Sequence, residues 1–306
     1  MEFFKANTSI DFMGQRYKAA IFSVAICAIS LFILAIKGLN LGLDFTGGTQ
    51  IEVSYPQTAD LSTIREELSS AGFPEATVQP YGTSKDVLIR LGEQKGIDQK
   101  QLQAKIQTAL VGAEVRQVEY IGPQVGKALV TNGILAIIVS LLGIMVYVAL
   151  RFELRFGVSA IVALIHDPVV TLGVFALTGM EFNLITLAAV LTIIGYSIND
   201  TIVVYDRVRE NFRLMRKGSV LEIINRSINQ TLSRTIMTSG LTLMVVTVLF
   251  FFGGEVLRGF SAALIVGIII GTYSSIYVAG SLAVTLGLDR KHLMPPERVE
   301  GLGDQP

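Results

Sequence analysis

Apolar residues gather into six long runs, near 19–36, 129–150, 157–178, 184–205, 235–252 and 259–286. A helix of about 20 residues crosses a hydrocarbon core of about 30 Å, so each run is long enough to span a membrane. Residues 37–128 break this regime with shorter periods. Thr49-Gln50-Ile51-Glu52-Val53-Ser54-Tyr55 alternates at period two, as a half-buried strand does. Residues 58–71 set Leu61, Ile64 and Leu68 at helical spacing, and Ala71-Gly72 ends that helix. Two strands follow near 76–81 and 85–91, where Val87, Ile89 and Leu91 alternate; a second helix starts at Asp98, with Gln101 completing a capping box. A last strand near 114–120 carries Val115 and Val118. The order β-α-β-β-α-β predicts a small ferredoxin-like domain.

The fold class is therefore an α-helical integral membrane protein with six transmembrane helices and a small α+β ferredoxin-like domain between helices 1 and 2. Residues 1–18 form the amino-terminal segment, 19–36 the first span and 37–128 the soluble domain. Residues 129–286 form the remaining bundle, with an amphipathic segment at 206–234, and 287–306 form a tail.

Composition strengthens this picture. Hydrophobic residues make up 51% and charged residues 16% of the chain, with a mean hydropathy of +0.56; soluble domains carry about 25% charged residues. A net charge of +0 gives no field for nucleic acid. Cys27, the single cysteine, excludes an intramolecular disulfide framework and a multi-cysteine metal site. Arg16 and Lys18 precede the first run as they would a signal peptide, but the apolar stretch is long and no small-x-small site follows, so an uncleaved anchor is expected. The basic residues set the orientation. Lys5, Arg16, Lys18, Arg151, Arg155, the arginines between 207 and 234, and Arg290, Lys291 and Arg298 fall on one side, against Arg258 on the short loops opposite. Both termini are then cytoplasmic and 37–128 lies outside. In the arginine-rich stretch, Val208, Phe212 and Met215 share a face, Gly218 breaks it, and Ser219 with Glu222 caps a second helix, which predicts a helix pair lying at the headgroup level, the alternative being a docking surface for a cytoplasmic or membrane partner.

Charge within a span is the candidate chemistry, because it costs about 2.5–3.5 kcal/mol at the helix centre on insertion scales. Asp167 sits mid-way along the third run, Asp200 inside the cytoplasmic end of the fourth, and Arg234 at the start of the fifth. Asp200 reads as a protonatable site balanced between desolvation and a nearby arginine, or as a carboxylate that locks helices through neighbouring serines. Ser197 and Asn199 stand beside it in either role. Asp167 is open to the same two readings. His166 reads as a relay member or a structural residue; it precedes Asp167 by one helical step of about 100°, which predicts that the two do not face each other and favours the structural role. Gly267 and Gly271 form a small-xxx-small pair for close helix packing. No nucleophile–base pair, phosphate loop or metal cluster points to an enzyme.

Five stretches carry a family resemblance: Leu41-Gly42-Leu43-Asp44-Phe45-Thr46-Gly47-Gly48, Tyr120–Gly126, Ala163–Asp167, Gly195–Glu210 and Thr231–Gly240. They resemble the motifs of the SecF family (SecD/SecF family, RND superfamily) over nearly the whole chain. The resemblance implies one half of an RND-type bundle in the bacterial inner membrane. It also implies work with SecD, the SecYEG channel and YajC, in which the proton motive force completes export of unfolded preproteins, with the proton as coupling ion and no cofactor. The fourth-span aspartate and fifth-span arginine that this family uses for proton conduction fall on Asp200 and Arg234. Asp44 with Gly47 and Gly48 reads as a tight turn joining the first span to the first strand, either a plain turn or a coupling hinge. Competing readings are a small-molecule or lipid exporter of the same superfamily, and a scaffold subunit that conducts nothing.

Overall fold

A computed structural model describes residues 9–92, 99–110, 112–215 and 218–288. The expected capping box at Asp98 and the tail beyond 288 lie outside the described residues.

The soluble domain is built from β2 (Gly48–Ser54), α3 (Leu61–Ser70), β3 (Thr77–Tyr81), β4 (Thr83–Leu91), α4 (Gln99–Ala109) and β5 (Glu114–Ile121), preceded by β1 (Asn40–Leu41) and a helical turn α2 (Leu43–Thr46). The sheet order β3-β4-β2-β5, antiparallel throughout, gives the ferredoxin-like topology that the element order predicts. Period-two alternation sends Ile51, Val53, Val87, Ile89 and Leu91 to one face, where Ile64 and Leu68 of α3 and Ile106 of α4 cover them. Asp60 starts α3 by accepting the Ser62 backbone N–H at 2.9 Å. The other sheet face, with Leu88 buried on it, looks down onto the membrane bundle.

Six helices among the described residues are long and apolar enough to span. They are α1 (Arg16–Lys37), α5 (Pro123–Arg151), α6 (Leu154–Thr178), α7 (Leu184–Leu214) and α8 (Val220–Phe252), with α9 (Gly254–Ser274) running on through a π-helical turn Ser275–Ala279 into α10 (Gly280–Thr285). Burial divides them. In the most apolar stretch of each, 56% of α6 and of α7 and half of the last span is inside the molecule, against 17% of α1 and α8 and 11% of α5. The third, fourth and sixth spans therefore form the core, and the other three present apolar flanks outward. A two-residue strand β6 (Glu181–Phe182) in the loop between α6 and α7 pairs in parallel with β1.

Two expectations differ from the structure. Helix α5 begins at Pro123, since proline fits the first helical turn, where its missing N–H leaves no bond unmade. The arginine-rich segment is not a pair of helices lying in the headgroup plane; it is the inner ends of α7 and α8, which run unbroken into their spans. Their apolar faces find partners in each other. Val208 and Phe212 of α7 and Ile224 and Ile228 of α8 are buried in one cluster with Phe12 and Met13. Asn225 Oδ1 accepts the Phe12 and Met13 N–H groups at 2.8 and 3.1 Å, and Asn211 Nδ2 donates to Ser227 Oγ at 2.8 Å, so the amino-terminal strap closes the inner end. The Ser219–Glu222 capping box is formed as the sequence indicates.

Outside the membrane, Asp86 is held well below the usual carboxylate range, first by hydrogen bonds from Ser54 and Thr83 at 2.6 and 2.5 Å, then by Arg116 at 3.2 Å. A depressed pKa stabilises the fold above the unfolded value of about 3.9, and that contribution is lost as pH falls through the folded value. Asp86→Asn is therefore expected to flatten the acid-side loss of stability of the outer domain below about pH 4, measured on the full chain by limited proteolysis across pH. A separate test concerns close packing in the bundle. A Cβ on Gly267 would meet Ile193 Cγ1 at 2.3 Å and Cγ2 at 2.8 Å, so Gly267→Ala is expected to lower thermal stability in detergent by about 1–3 kcal/mol.

Candidate functional site in the membrane bundle

Asp167 stands 13 residues into α6, about 20 Å from its inner end, and is fully buried. Its Oδ2 accepts hydrogen bonds from Ser197 Oγ of α7 at 2.6 Å and Ser274 Oγ of α9 at 2.8 Å. Its Oδ1 lies 2.9 Å from His166 Nδ1. One carboxylate thus ties the three core spans together at mid-depth. The expectation that His166 turns away fails: the carboxylate bends back along its own helix to meet the ring. With Asp167 ionised, Nδ1 carries the shared proton, because a carboxylate only accepts. His166 Nε2 is buried without a hydrogen-bond partner among the described residues. The backbone around this cluster is irregular. Pro168 removes one N–H from the middle of α6, and the π-helical turn begins one residue after Ser274.

Asp200 lies three residues beyond Ser197 on α7, about 4.5 Å nearer that helix's carboxyl-terminal end, and is 3% exposed. Its Oδ2 accepts from Ser239 Oγ of α8 at 3.4 Å, and Ser239 shares a 2.9 Å hydrogen bond with Thr272 of α9. Arg234 makes no direct contact with this cluster. It sits five residues before Ser239, about 140° around α8, is exposed and makes no ion pair within 4 Å among the described residues, yet it stands close enough for its charge to act on Asp200. Asn199 also faces outward, so of the residues read from the sequence, Asp167, His166, Ser197 and Asp200 are brought inside, while Arg234 and Asn199 are displayed on the flank. Ser239, Thr272 and Ser274 were not singled out from the sequence. The adjacent Ser274-Ser275 pair in an otherwise apolar run was the available signal; Ser239 had none. Gly271 lets α9 reach the site, since a Cβ there would stand 3.3 Å from Ser197 Cβ and 3.4 Å from Asp167 Oδ2.

At the outer end, Asp44 is a helix cap rather than a plain turn residue. Its Oδ2 accepts the backbone N–H of Leu184, the first residue of α7, at 2.8 Å. Gly47 (φ 68°) ends α2 and Gly48 (φ 117°) opens β2, both in the left-handed half of conformational space that glycine reaches without strain.

The architecture and its motifs have known counterparts. The family described as protein export membrane protein SecD/SecF, C-terminal, matches residues 101–289, and the SecD/SecF GG motif matches residues 32–59. This chain belongs to the SecD/SecF family. It is 48% identical over 298 residues to the protein translocase subunit SecF of Vibrio alginolyticus, covering 96% of this chain and 95% of that protein. It is 43% identical over 303 residues to the SecF of Escherichia coli O157:H7, covering 97% and 94%. The crystal structure of SecDF, a translocon-associated membrane protein from Thermus thermophilus, superposes with a TM-score of 0.85 at 39% identity. That match covers 92% of this chain and 39% of the SecDF chain. A SecDF structure in the super-membrane-facing form gives 0.70. The SecD/SecF membership and the six-span architecture with its outer ferredoxin-like domain agree with the sequence expectation.

Stability should separate the inward and outward groups of this SecD/SecF protein. Ser274→Ala removes a donor to a fully buried carboxylate and is expected to cost about 1–3 kcal/mol in detergent unfolding. Arg234→Ala, at an exposed side chain with no direct ion pair among the described residues, is expected to change stability by less than about 0.5 kcal/mol.

Proposed function

We propose that this protein is the SecF-type half of a proton-driven export motor in the bacterial inner membrane. It acts with SecD, beside the SecYEG channel and YajC, and uses the proton motive force to complete the passage of unfolded preproteins on the periplasmic side. Both termini lie in the cytoplasm and residues 37–128 in the periplasm, as the distribution of basic residues requires. The proton is the coupling ion.

The observation that carries this reading is a pair of buried carboxylates on one connected path. Asp167 and Asp200 lie inside the bundle, joined through α7, and the outer end of the same helix is capped by Asp44 at the foot of the periplasmic domain. A proton on Asp200 cancels its charge and turns one oxygen from acceptor to donor, which changes its relation to Ser239 and the α8–α9 contact. A proton moving down about 100 mV releases about 2.3 kcal/mol, enough to bias a helix displacement. Arg234 and Asn199 face outward at membrane depth, where polar groups are costly in lipid, so a second bundle, the SecD half, is their expected cover. Arg234, whose charge acts on Asp200 without a direct ion pair, then joins the proton path from that interface.

The test is late-stage preprotein release from membranes carrying Asp200→Asn, with and without a proton gradient, after normal assembly with SecD has been verified. Release is expected to lose its gradient dependence. Unchanged gradient-driven release would show that the relay lies elsewhere and that this subunit is a scaffold.

A further inference from the structure

We infer that the corner joining Asn40–Leu41 to Glu181–Phe182 is a rigid shackle that makes α7 and the outer sheet move as one body, with Asp44 and Arg90 as its positioning residues. The inference rests on the gradient-driven reading above and says how that motion leaves the membrane.

Four kinds of contact meet at this corner. The first is backbone pairing: β1 and β6 pair in parallel, and Gly42 N–H donates to Phe182 O at 2.8 Å. The second is a helix cap supplied from outside the helix. Asp44 accepts the Leu184 N–H, beside the Asn183 side chain, which accepts that of Thr186 at 2.9 Å. A carboxylate at this end also meets the positive pole of the helix dipole, so α7 cannot leave Asp44 without exposing an unbonded N–H. The third reaches the sheet. Arg90 of β4 forms an ion pair with Glu181 and donates from Nε to Gln50 of β2 at 3.2 Å. Its side chain is 13% exposed and that of Glu181 29%, so water competes for the pair less than at a free surface. The fourth is steric. A Cβ on Gly42 would come within 2.6 Å of Glu181 Oε1, one on Gly48 within 2.4 Å of the Leu91 carbonyl, and one on Gly126 within 3.0 Å of the Phe45 carbonyl. These glycines permit close contact; they do not supply slack.

The consequence is directional. Asp200 lies 16 residues along α7 from Leu184, about 24 Å of continuous helix. A shift of α7 at Asp200 is delivered through Leu184 and Asp44 to β2, and through Glu181 and Arg90 to β4, with no loose joint on the way. The Gly47–Gly48 pair is thus part of a clamp and not a hinge.

The experiment uses the full complex in membranes, with Cys27→Ser as background. Asn40→Cys with Glu181→Cys places two thiols on paired positions of adjacent strands, whose spacing of about 4.8 Å allows a disulfide. The reduced form lacks the Arg90 ion pair and is expected to lose gradient-driven preprotein release by about fivefold or more, the low end of a coupling between two sites. Oxidation fastens β1 to β6 without replacing the tie to β4, and is expected to leave release no worse than in the reduced form. Arg90→Glu should show the same loss, and Arg90→Glu with Glu181→Arg should recover, while assembly and the gradient-independent stage of export stay unchanged in each. A defect that oxidation deepens overturns the shackle, because the corner would then have to open during the cycle. Full gradient-driven release in the reduced form and in Arg90→Glu overturns it as well. Asp200→Asn run in parallel separates the two levels. If it loses gradient dependence while the corner variants keep theirs, only the shackle fails. If it too keeps full dependence, the motor reading fails and the shackle falls with it.

Discussion

Asp167 is the interaction on which the rest of the bundle depends. A carboxylate in the middle of a membrane protein is tolerated only when its lone pairs are used, and here Ser197, Ser274 and His166 use them from two neighbouring helices and its own. That requirement fixes how α6, α7 and α9 stand relative to one another, in both rotation and depth. It also explains the small residues around it. Gly271 leaves room for α9 to bring Ser274 close, and Gly267 lets Ile193 fill the same seam one turn further out. The proline and the π-helical turn beside the cluster are tolerated because the local backbone is buried in protein, where neighbours meet its hydrogen-bonding needs.

Around this core the bundle is one-sided. α1, α5 and α8 expose long apolar flanks, and α8 displays Arg234 among them. A surface of that kind suits a larger assembly better than a lone bundle in lipid. The inner end is closed from within the chain, by the arginine-rich extensions of α7 and α8 and the strap at Phe12–Met13. The outer end is closed by the ferredoxin-like domain, whose uncovered sheet face rests over the ends of the fourth and sixth spans, with carboxylates of Glu52, Glu119, Glu181 and Glu255 around a cleft of about 320 Å³. A ferredoxin-like sheet normally buries one face under its two helices and leaves the other to find a partner; here the membrane bundle is that partner.

α7 unites these regions. It carries Ser197 and Asp200, extends inward to the arginine cluster, and begins outward at a cap that the GG segment supplies. Charge chemistry at its middle is thereby connected to both surfaces of the membrane without a break in its hydrogen-bond ladder.

By itself the sequence determined the spans and the βαββαβ domain, because each follows from a local quantity: the length of an apolar run, or a period of two or 3.6 residues. It also marked Asp167 and Asp200, since a charge inside an apolar run is anomalous whatever surrounds it. Tertiary structure alone decided which charges meet. Asp200 and Arg234 looked alike in depth, yet five residues of helical rotation from Ser239 put Arg234 on the outside of α8. His166 looked turned away from Asp167 by the helical step, yet a carboxylate's own torsions brought it back. Asp44 read as a turn residue, and only the approach of the loop before α7, 140 residues later in the chain, made it that helix's cap. The first and last of these depend on how distant segments rotate and pack against one another, a long-range property that local patterning does not encode, and the second on a side-chain torsion that backbone periodicity leaves open.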